Sequence, residues 1–278
     1  MRFTALIPTH NNGPVVGRAI RSVLRQTERD LELFVVGDGA PEETLAVVRN
    51  LADSDPRVRL FAYEKGERHG EALRHQALEE ATGEFVCYLA DDDFWFPDHL
   101  RVMGRMLQSA DFANTRFARV YPNWRICGYV GTFDDMDLRR RLLETKTSFF
   151  GLSFGAHRMD AYRRLPEGWA PAPQGIWTDL HMLRKWLSAP GMRFATSPLV
   201  TGLNFPAETW RDNPKQQQQA EQNIWYELFK DPAMVKAIRR NIPSDDTHLP
   251  LHRVIAAANH TRRGTPGFTG AIRRLFSR

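Results

Sequence analysis

Between residues 3 and 107, short apolar runs alternate with stretches of helical periodicity, and this alternation constrains the fold of the 278-residue chain more than any other feature. Phe3 to Ile7 is a short apolar strand. Asn12-Gly13-Pro14 opens a helix whose apolar face is Val16, Ala19, Ile20, Val23 and Leu24. Leu31 to Val36 reads as a second strand. Pro41, Glu42 and Glu43 begin a second helix, since proline suits a first turn and acids suit the positive end of the helix dipole. Its inward residues are Leu45, Val48, Leu51 and Ala52. Val58 to Tyr63 alternates as a third strand, and a third helix runs through Ala72, Leu73, Ala77 and Ala81 to a stop at Gly83. Gly83 to Leu89 is a fourth strand, and Pro97 and Asp98 open a helix with Leu100, Met103 and Leu107 inward. This order predicts an α/β layered fold, its sheet mainly parallel and covered by helices on both faces. Ligands of such sheets bind beyond the carboxyl ends of the strands. Pro8-Thr9-His10, Gly37-Asp38-Gly39 and Asp91-Asp92-Asp93 all fall at those ends.

The acidic triplet carries the clearest chemistry. Three adjacent carboxylates repel one another unless a cation lies among them, and hard oxygen ligands suit Mg²⁺ or Mn²⁺. Mg²⁺ keeps few protein carboxylates and completes its shell with water and substrate phosphates, so the triplet reads as a metal site poised for a diphosphate. A solvated acidic turn is the plainer alternative. Cys87 and Cys127 are far apart and outside any CxxC spacing, which argues against structural zinc or a disulfide framework and for a reducing, cytoplasmic setting. The N-terminal residues lack the pattern of a signal peptide, and no apolar stretch approaches the roughly 20 residues of a membrane helix.

The second half is less regular. Arg116 to Tyr129 holds strand-like, aromatic-rich pieces, Asp134 to Thr145 reads as a polar helix, and Thr178 to Leu187 as a helix with Leu180, Leu183 and Leu187 on one face. Gln216 to Gln219 reads as an exposed helix face. The net charge is +5, with arginine far outnumbering lysine. From Thr247 onward there is no acid, but there are six arginines, Arg253, Arg262, Arg263, Arg273, Arg274 and Arg278, interleaved with apolar residues. That stretch reads equally as a peripheral contact with the inner face of an anionic membrane or as a solvated basic tail. Away from it the positive charge is diffuse, which argues against a nucleic-acid partner.

Taken in chain order, Ile7-Pro8-Thr9-His10-Asn11, Ser22-Val23-Leu24-Arg25-Gln26-Thr27, Val35-Val36-Gly37-Asp38-Gly39-Ala40, Ala81-Thr82-Gly83-Glu84 and Leu89-Ala90-Asp91-Asp92-Asp93 closely resemble glycosyltransferase family 2, the inverting enzymes of GT-A fold. The family's usual forms are a strand ending IPTYN, then SVLxQT, VVDDGS, and a glycine-led strand ending in DDD. The likeness covers roughly residues 1 to 110, in the right order and spacing. A weaker match lies at Trp177-Thr178-Asp179-Leu180, where the family commonly carries Glu-Asp before a helix; Leu183 and Arg184 fit that helix. Gly37 and Thr178 depart from the pattern, each standing where the family often has an acid.

The resemblance implies a GT-A-type, Rossmann-like domain over residues 1–205, with a nucleotide-binding half of about 1–110 and an acceptor half of about 111–205, followed by a helical, basic extension over 206–278. It implies a nucleotide-sugar donor, most often a UDP-sugar, an acceptor hydroxyl on a saccharide, lipid-linked saccharide or other molecule, and Mn²⁺ or Mg²⁺. Asp38 matches the acid that reads the uracil ring, Pro8 and Thr9 the loop beside the nucleotide, Asp91 the residue near the ribose and a metal ligand, and Asp93 the metal ligand of the DxD motif. Asp92 is grouped with the donor-binding residues, Arg74 matches an arginine near the donor, and Asp179 the general base. Each has a plainer alternative: a helix cap for Asp93, a turn acid for Asp38, a helix-opening acid for Asp179 and a solvent-facing arginine for Arg74. His10, His69, His75 and His157 show no metal-binding spacing, and a structural role is the expectation for each, with His157 the least implausible third ligand. Trp169, Trp177 and Trp210 read either as a stacking platform for an acceptor sugar or as core, and core is the expectation for at least two of the three. A nucleotide-sugar-binding protein without turnover is the alternative function. A sugar nucleotidyltransferase is disfavoured by Pro8-Thr9-His10-Asn11-Asn12 in place of a glycine-rich loop, and a dinucleotide oxidoreductase by the absence of GxGxxG.

Overall fold

A computed structural model of the chain describes residues 1–129, 131–146, 148, 150–243 and 248–261. Two compact units emerge, one comprising Met1–Phe117 with Val130–Asn204, the other Ala118–Tyr129 with Phe205–Arg278.

The first unit opens with β1 (Phe3–Thr9), α1 (Gly13–Leu24), β2 (Leu31–Asp38), α2 (Glu42–Ser54), β3 (Val58–Tyr63), α3 (Glu71–Glu79) and β4 (Phe85–Tyr88). Short β5 (Phe94–Trp95), α4 (His99–Leu107) and β6 (Phe112–Tyr121) follow. β6 continues past Phe117 into the segment of the second unit that contains β7 (Arg125–Tyr129). The chain then returns through α5 (Met136–Glu144), β8 (Gly155–Arg158), the single-turn α6 (Met159–Tyr162), α7 (Thr178–Ser188) and β9 (Phe194–Asn204). The sheet runs β6-β8-β4-β1-β2-β3, with β4, β1, β2 and β3 mutually parallel and β8 antiparallel to both neighbours. Every residue of β2 is buried, as expected of a strand covered on both faces. The α1 helix presents Val15, Val16, Ala19, Ile20 and Val23 to this core, so the face read from spacing is the buried one.

Three local readings need correction. The α3 helix does not end on Gly83; it ends at Glu79, and Glu80 stays right-handed. Gly83 is small for a different reason: a Cβ there would sit 2.4 Å from the Thr4 backbone nitrogen, so its backbone packs directly on β1. The inward face of α3 also differs. Ala72 is exposed, whereas Glu71 and Arg74 are buried beside Ala77 and Leu78, because two charged side chains, each hydrogen-bonded to its own partners, replace part of the apolar stripe. Pro41 precedes α2 in extended conformation as its cap, leaving Glu42 to start the helix.

In the second unit, β7 pairs antiparallel with β10 (Leu249–Pro250), and the amide of Leu251 donates to the carbonyl of Trp124 at 2.8 Å. Its helices are α8 (Ala207–Trp210), α9 (Lys215–Phe229), α10 (Pro232–Asn241) and α11 (Leu251–Thr261), with Trp225, Phe229, Ile238 and Val254 buried. Gln216 and Gln217 lie on an exposed stretch of α9. Of the C-terminal arginines Arg253 is described; Arg262, Arg263, Arg273, Arg274 and Arg278 lie outside the described residues. No helix among the described residues is long and apolar enough to cross a membrane.

Candidate active site

Strand register brings the acidic triplet against the end of β1. Leu6 pairs with Tyr88, so Thr9 and Asp91, three residues further along parallel strands, come level. The Thr9 hydroxyl donates to Asp91 Oδ2 at 2.6 Å, and Asn12 Nδ2 donates to Asp91 Oδ1 at 2.6 Å. Burial pushes the Asp91 carboxyl up, and these two donors oppose the shift. Pro8 and Thr9 in turn lie beside Val36 and Gly37 of β2.

The same logic fixes Asp93. The antiparallel pairing of Phe94 with Leu203 places Asp93 level with Asn204, whose amide reaches its two oxygens at 3.2 and 3.1 Å. The Ser153 hydroxyl donates to Asp93 Oδ2 at 2.6 Å while accepting from the Ala90 amide at 2.9 Å. Asp92, between the other two, is pushed well above the ordinary carboxylate value by burial and then by the charges of Asp93 and Asp91. This arrangement fits a hard divalent cation. The donors are carboxylate oxygens, they are oriented by outer hydrogen bonds, and their mutual repulsion is what a cation relieves. Among the described residues no group of three or more His, Cys, Asp and Glu side chains could hold an ion.

Asp38 closes β2, and Arg74 lies on the buried face of α3. The Asp38 carboxylate accepts from Lys65 Nζ at 2.8 Å and from the Gly66 amide at 2.7 Å, while the Asp38 carbonyl meets His10 Nδ1 at 2.7 Å. Gly70 follows in left-handed conformation at φ +70°, and a Cβ there would lie 2.7 Å from the Asp38 carboxyl carbon. Arg74 is 7 % exposed. Its Nη2 donates to the His69 carbonyl at 2.9 Å, and the guanidinium lies 5.0 Å from the centre of the Trp169 ring. Nε and Nη1 are buried with no hydrogen-bond partner. Burial lowers its pKa, opposed by the negative charges of Asp179 and Glu71 and, more weakly, by Tyr88 and Asp38.

Asp179 lies in the first turn of α7, as the sequence led one to expect. The helix dipole is not the dominant influence on it: burial pushes its carboxyl up, and Arg74 and a hydrogen bond from the Leu152 backbone pull it down. Below it is an apolar cavity of about 20 Å³, bordered by Tyr88, Leu152, Trp169, Met182, Leu183 and Trp186, in which Asp179 is the one charged lining residue among those described. A single short turn thus serves two acids, Leu152 through its backbone to Asp179 and Ser153 through its hydroxyl to Asp93.

Several expectations about the neighbours resolve. His157 is fully buried, with Nε2 2.8 Å from the Tyr88 hydroxyl and Nδ1 3.0 Å from the Arg158 carbonyl. Both nitrogens are engaged inside the core, so it is not a metal ligand. Trp169 and Trp210 are buried, whereas Trp177, two residues before Asp179, is 70 % exposed. Sequence reasoning missed Glu71, Ser153 and Asn204. For Asn204 the signal lay in the β5–β9 register, which no local pattern reveals. Of the sequence-predicted residues, Thr9 and Asp91 are joined by a hydrogen bond, and the charges of Asp179 and, more weakly, Asp38 act on Arg74.

A family model described as glycosyl transferase family 2 matches residues 4–166. A Campylobacter jejuni relative named GalNAc(5)-diNAcBac-PP-undecaprenol beta-1,3-glucosyltransferase is 30% identical over 122 residues, 44% of this chain and 38% of that protein. An Escherichia coli relative, UDP-Glc:alpha-D-GlcNAc-diphosphoundecaprenol beta-1,3-glucosyltransferase WfgD, is 30% identical over 102 residues, 37% of this chain and 39% of that protein. The matched regions thus span less than half the length of these curated relatives. Among solved structures, mannosyltransferase PcManGT from Pyrobaculum calidifontis, in complex with GDP-Man and Mn²⁺, superposes with a TM-score of 0.53 at 20% identity, covering 99% of this chain and 81% of that one. The fold is of the GT-A type, as the layered α/β architecture led one to expect. With more than half of its length matched by the family model and its strand-end acids in the expected order, the chain belongs to glycosyl transferase family 2.

Proposed function

We propose that the chain is a glycosyltransferase that moves a sugar from a nucleotide-diphosphate sugar, with UDP as the nucleotide, to an acceptor hydroxyl with inversion at the anomeric carbon. The observation that carries this reading is the buried guanidinium of Arg74, with two unpartnered nitrogens, on which the charges of Asp179 and, more weakly, Asp38 act. A buried donor left unsatisfied costs about 1–3 kcal/mol. Diphosphate oxygens satisfy such donors with charge-assisted hydrogen bonds. On this reading Asp38 faces the nucleobase, Pro8 and Thr9 flank the nucleotide, and Asp91 and Asp92 lie on the ribose and diphosphate side. Asp93 and Asp91 would hold Mn²⁺ or Mg²⁺, which supplies neutralisation of charge on the departing diphosphate.

Asp179 is the general base. It takes the proton of the acceptor hydroxyl as that oxygen bonds to the anomeric carbon. The carbon–oxygen bond to the diphosphate breaks, and its electron pair leaves with the diphosphate. Attack from the face opposite the leaving group inverts the configuration. Burial raises the basicity of Asp179, and the nearby Arg74 keeps its ionised form accessible. Trp177 gives the acceptor a flat apolar surface on the approach to α7, where the face of a pyranose ring can stack.

The printed names of the C. jejuni and E. coli relatives both include undecaprenol, and the second includes UDP-Glc. By analogy we assign this chain a UDP-sugar donor and a lipid-linked saccharide acceptor, with the arginine-rich stretch beyond Thr247 lying on an anionic membrane surface. Residues 1–205 would form the transferase domain and 206–278 its basic extension.

The test is release of nucleoside diphosphate from a panel of nucleotide sugars with Mn²⁺, comparing wild type with Arg74→Ala. Turnover with UDP-sugars, lowered at least tenfold in the variant, supports the reading. UDP binding without sugar release or transfer points to the inactive binding protein, and equal turnover in Arg74→Ala removes the guanidinium from the donor site.

A further inference from the structure

We propose that Glu71 is a positioning residue that sets the spacing between Arg74 and Asp179 by tying the first turn of α7 to the first turn of α3. The inference rests on the assignment of Asp179 as the base. Glu71 is completely buried, and a fully buried charged side chain is rare unless it is paired. Its oxygens accept from the Thr178 hydroxyl at 2.8 Å, the His69 amide at 2.9 Å and the Ala172 amide at 3.4 Å. Burial by itself would raise the Glu71 pKa. The hydrogen bonds from Thr178, its own amide, His69 and Ala172 outweigh that effect and hold the carboxyl below its ordinary value, so it is ionised at neutral pH.

The placement is specific. Glu71 and Arg74 are three residues apart on the buried face of α3, the spacing at which helix side chains are neighbours. Thr178 and Asp179 are consecutive in the first turn of α7. The Glu71–Thr178 hydrogen bond therefore joins the helix bearing Arg74, with its two unpartnered nitrogens, to the residue next to the base, across 107 positions of sequence. The bond to Ala172 secures the approach to Trp177 from the same carboxylate. This also accounts for Thr178, which stands where the family commonly has glutamate. The carboxylate at this point comes from α3, and position 178 carries a hydroxyl that donates to it. Catalytic groups misplaced by about 1 Å lose roughly a hundredfold in rate, so a rigid link of this kind acts on turnover more than on binding.

Thr178→Val removes the hydroxyl at nearly constant shape without substituting Glu71, Arg74 or Asp179, and Thr178→Ser retains the hydroxyl. With the full chain and Mn²⁺, we expect Thr178→Val to lower kcat for transfer at least tenfold per folded molecule, while donor KM and the Kd for UDP stay within twofold of wild type. Thr178→Ser should recover most of kcat. Wild-type kcat in Thr178→Val, or a kcat loss matched by an equal loss of UDP affinity, overturns the proposal. If wild type itself transfers no sugar, the base assignment fails, and the link is judged by amide hydrogen exchange. Faster exchange at Ala172 and in the first turn of α7 in Thr178→Val retains the tie between helices, and unchanged exchange removes it.

Discussion

Asp179 shows how one side chain takes its character from its surroundings. Its position in a helix first turn is readable from sequence, but its basicity is set by burial over an apolar cavity and by the charge of Arg74. As the proposed base, Asp179 would account for a factor of about 10²–10⁴ in rate. Asp179→Asn should therefore lower kcat for transfer by about that factor while leaving the Kd for UDP within twofold, as read by calorimetry alongside product assay. Normal transfer in Asp179→Asn would remove it as the base. The acids at strand ends were legible because each closes a motif of ordered spacing. The partners that orient them were not. Ser153 reaches Asp93 across 60 positions and Asn204 across 111, and neither lies in a local pattern that signals the contact.

At the scale of elements, the first hundred residues were legible because each helix and parallel strand carries its own periodicity. The α1 helix and β3 fall where their apolar spacing placed them. The α3 helix was misread because its buried face holds Glu71 and Arg74, and a hydrophobic pattern cannot anticipate charged side chains sunk into a core. Gly83 was misread for a related reason: its smallness serves a contact with β1, a strand some eighty residues earlier in the chain. The Gly83 amide lies 3.1 Å from the Thr4 hydroxyl and 3.2 Å from Glu32 Oε1. Gly83→Ala forces a methyl group onto the Thr4 backbone and should lower stability by about 1–3 kcal/mol in urea unfolding, the usual range for overpacking. A helix-stop glycine in right-handed conformation would tolerate alanine with little change, so wild-type stability in this variant would contradict the packing role.

At the scale of the whole molecule, buried neutral histidines tie stability to pH. Burial lowers His157 to about 4 and His99 to about 3, against an unfolded value near 6.5. Because the folded values are the lower ones, the unfolded chain takes up protons first on acidification. The stability linked to these groups is therefore present above pH 6.5 and lost as pH falls from there toward about 4 for His157 and about 3 for His99. Asp91, Asp92 and Asp179, with raised values, act in the opposite sense, so the clean measurement is a comparison with a variant that shares them. The stability gap between wild type and His157→Gln should narrow by about 2 kcal/mol between pH 7 and pH 5. A gap independent of pH would show that His157 is not held neutral. The account as a whole depends on one cleft in which strand-end carboxylates, a divalent cation and Arg74 together grip a nucleoside diphosphate. Calorimetric titration of UDP into wild type and Asp93→Ala, with and without Mn²⁺, tests this most directly. The account predicts binding to wild type that weakens at least tenfold when Mn²⁺ is omitted, and no effect of Mn²⁺ on Asp93→Ala. Equal UDP affinity in all four titrations, or no binding in any, would contradict it.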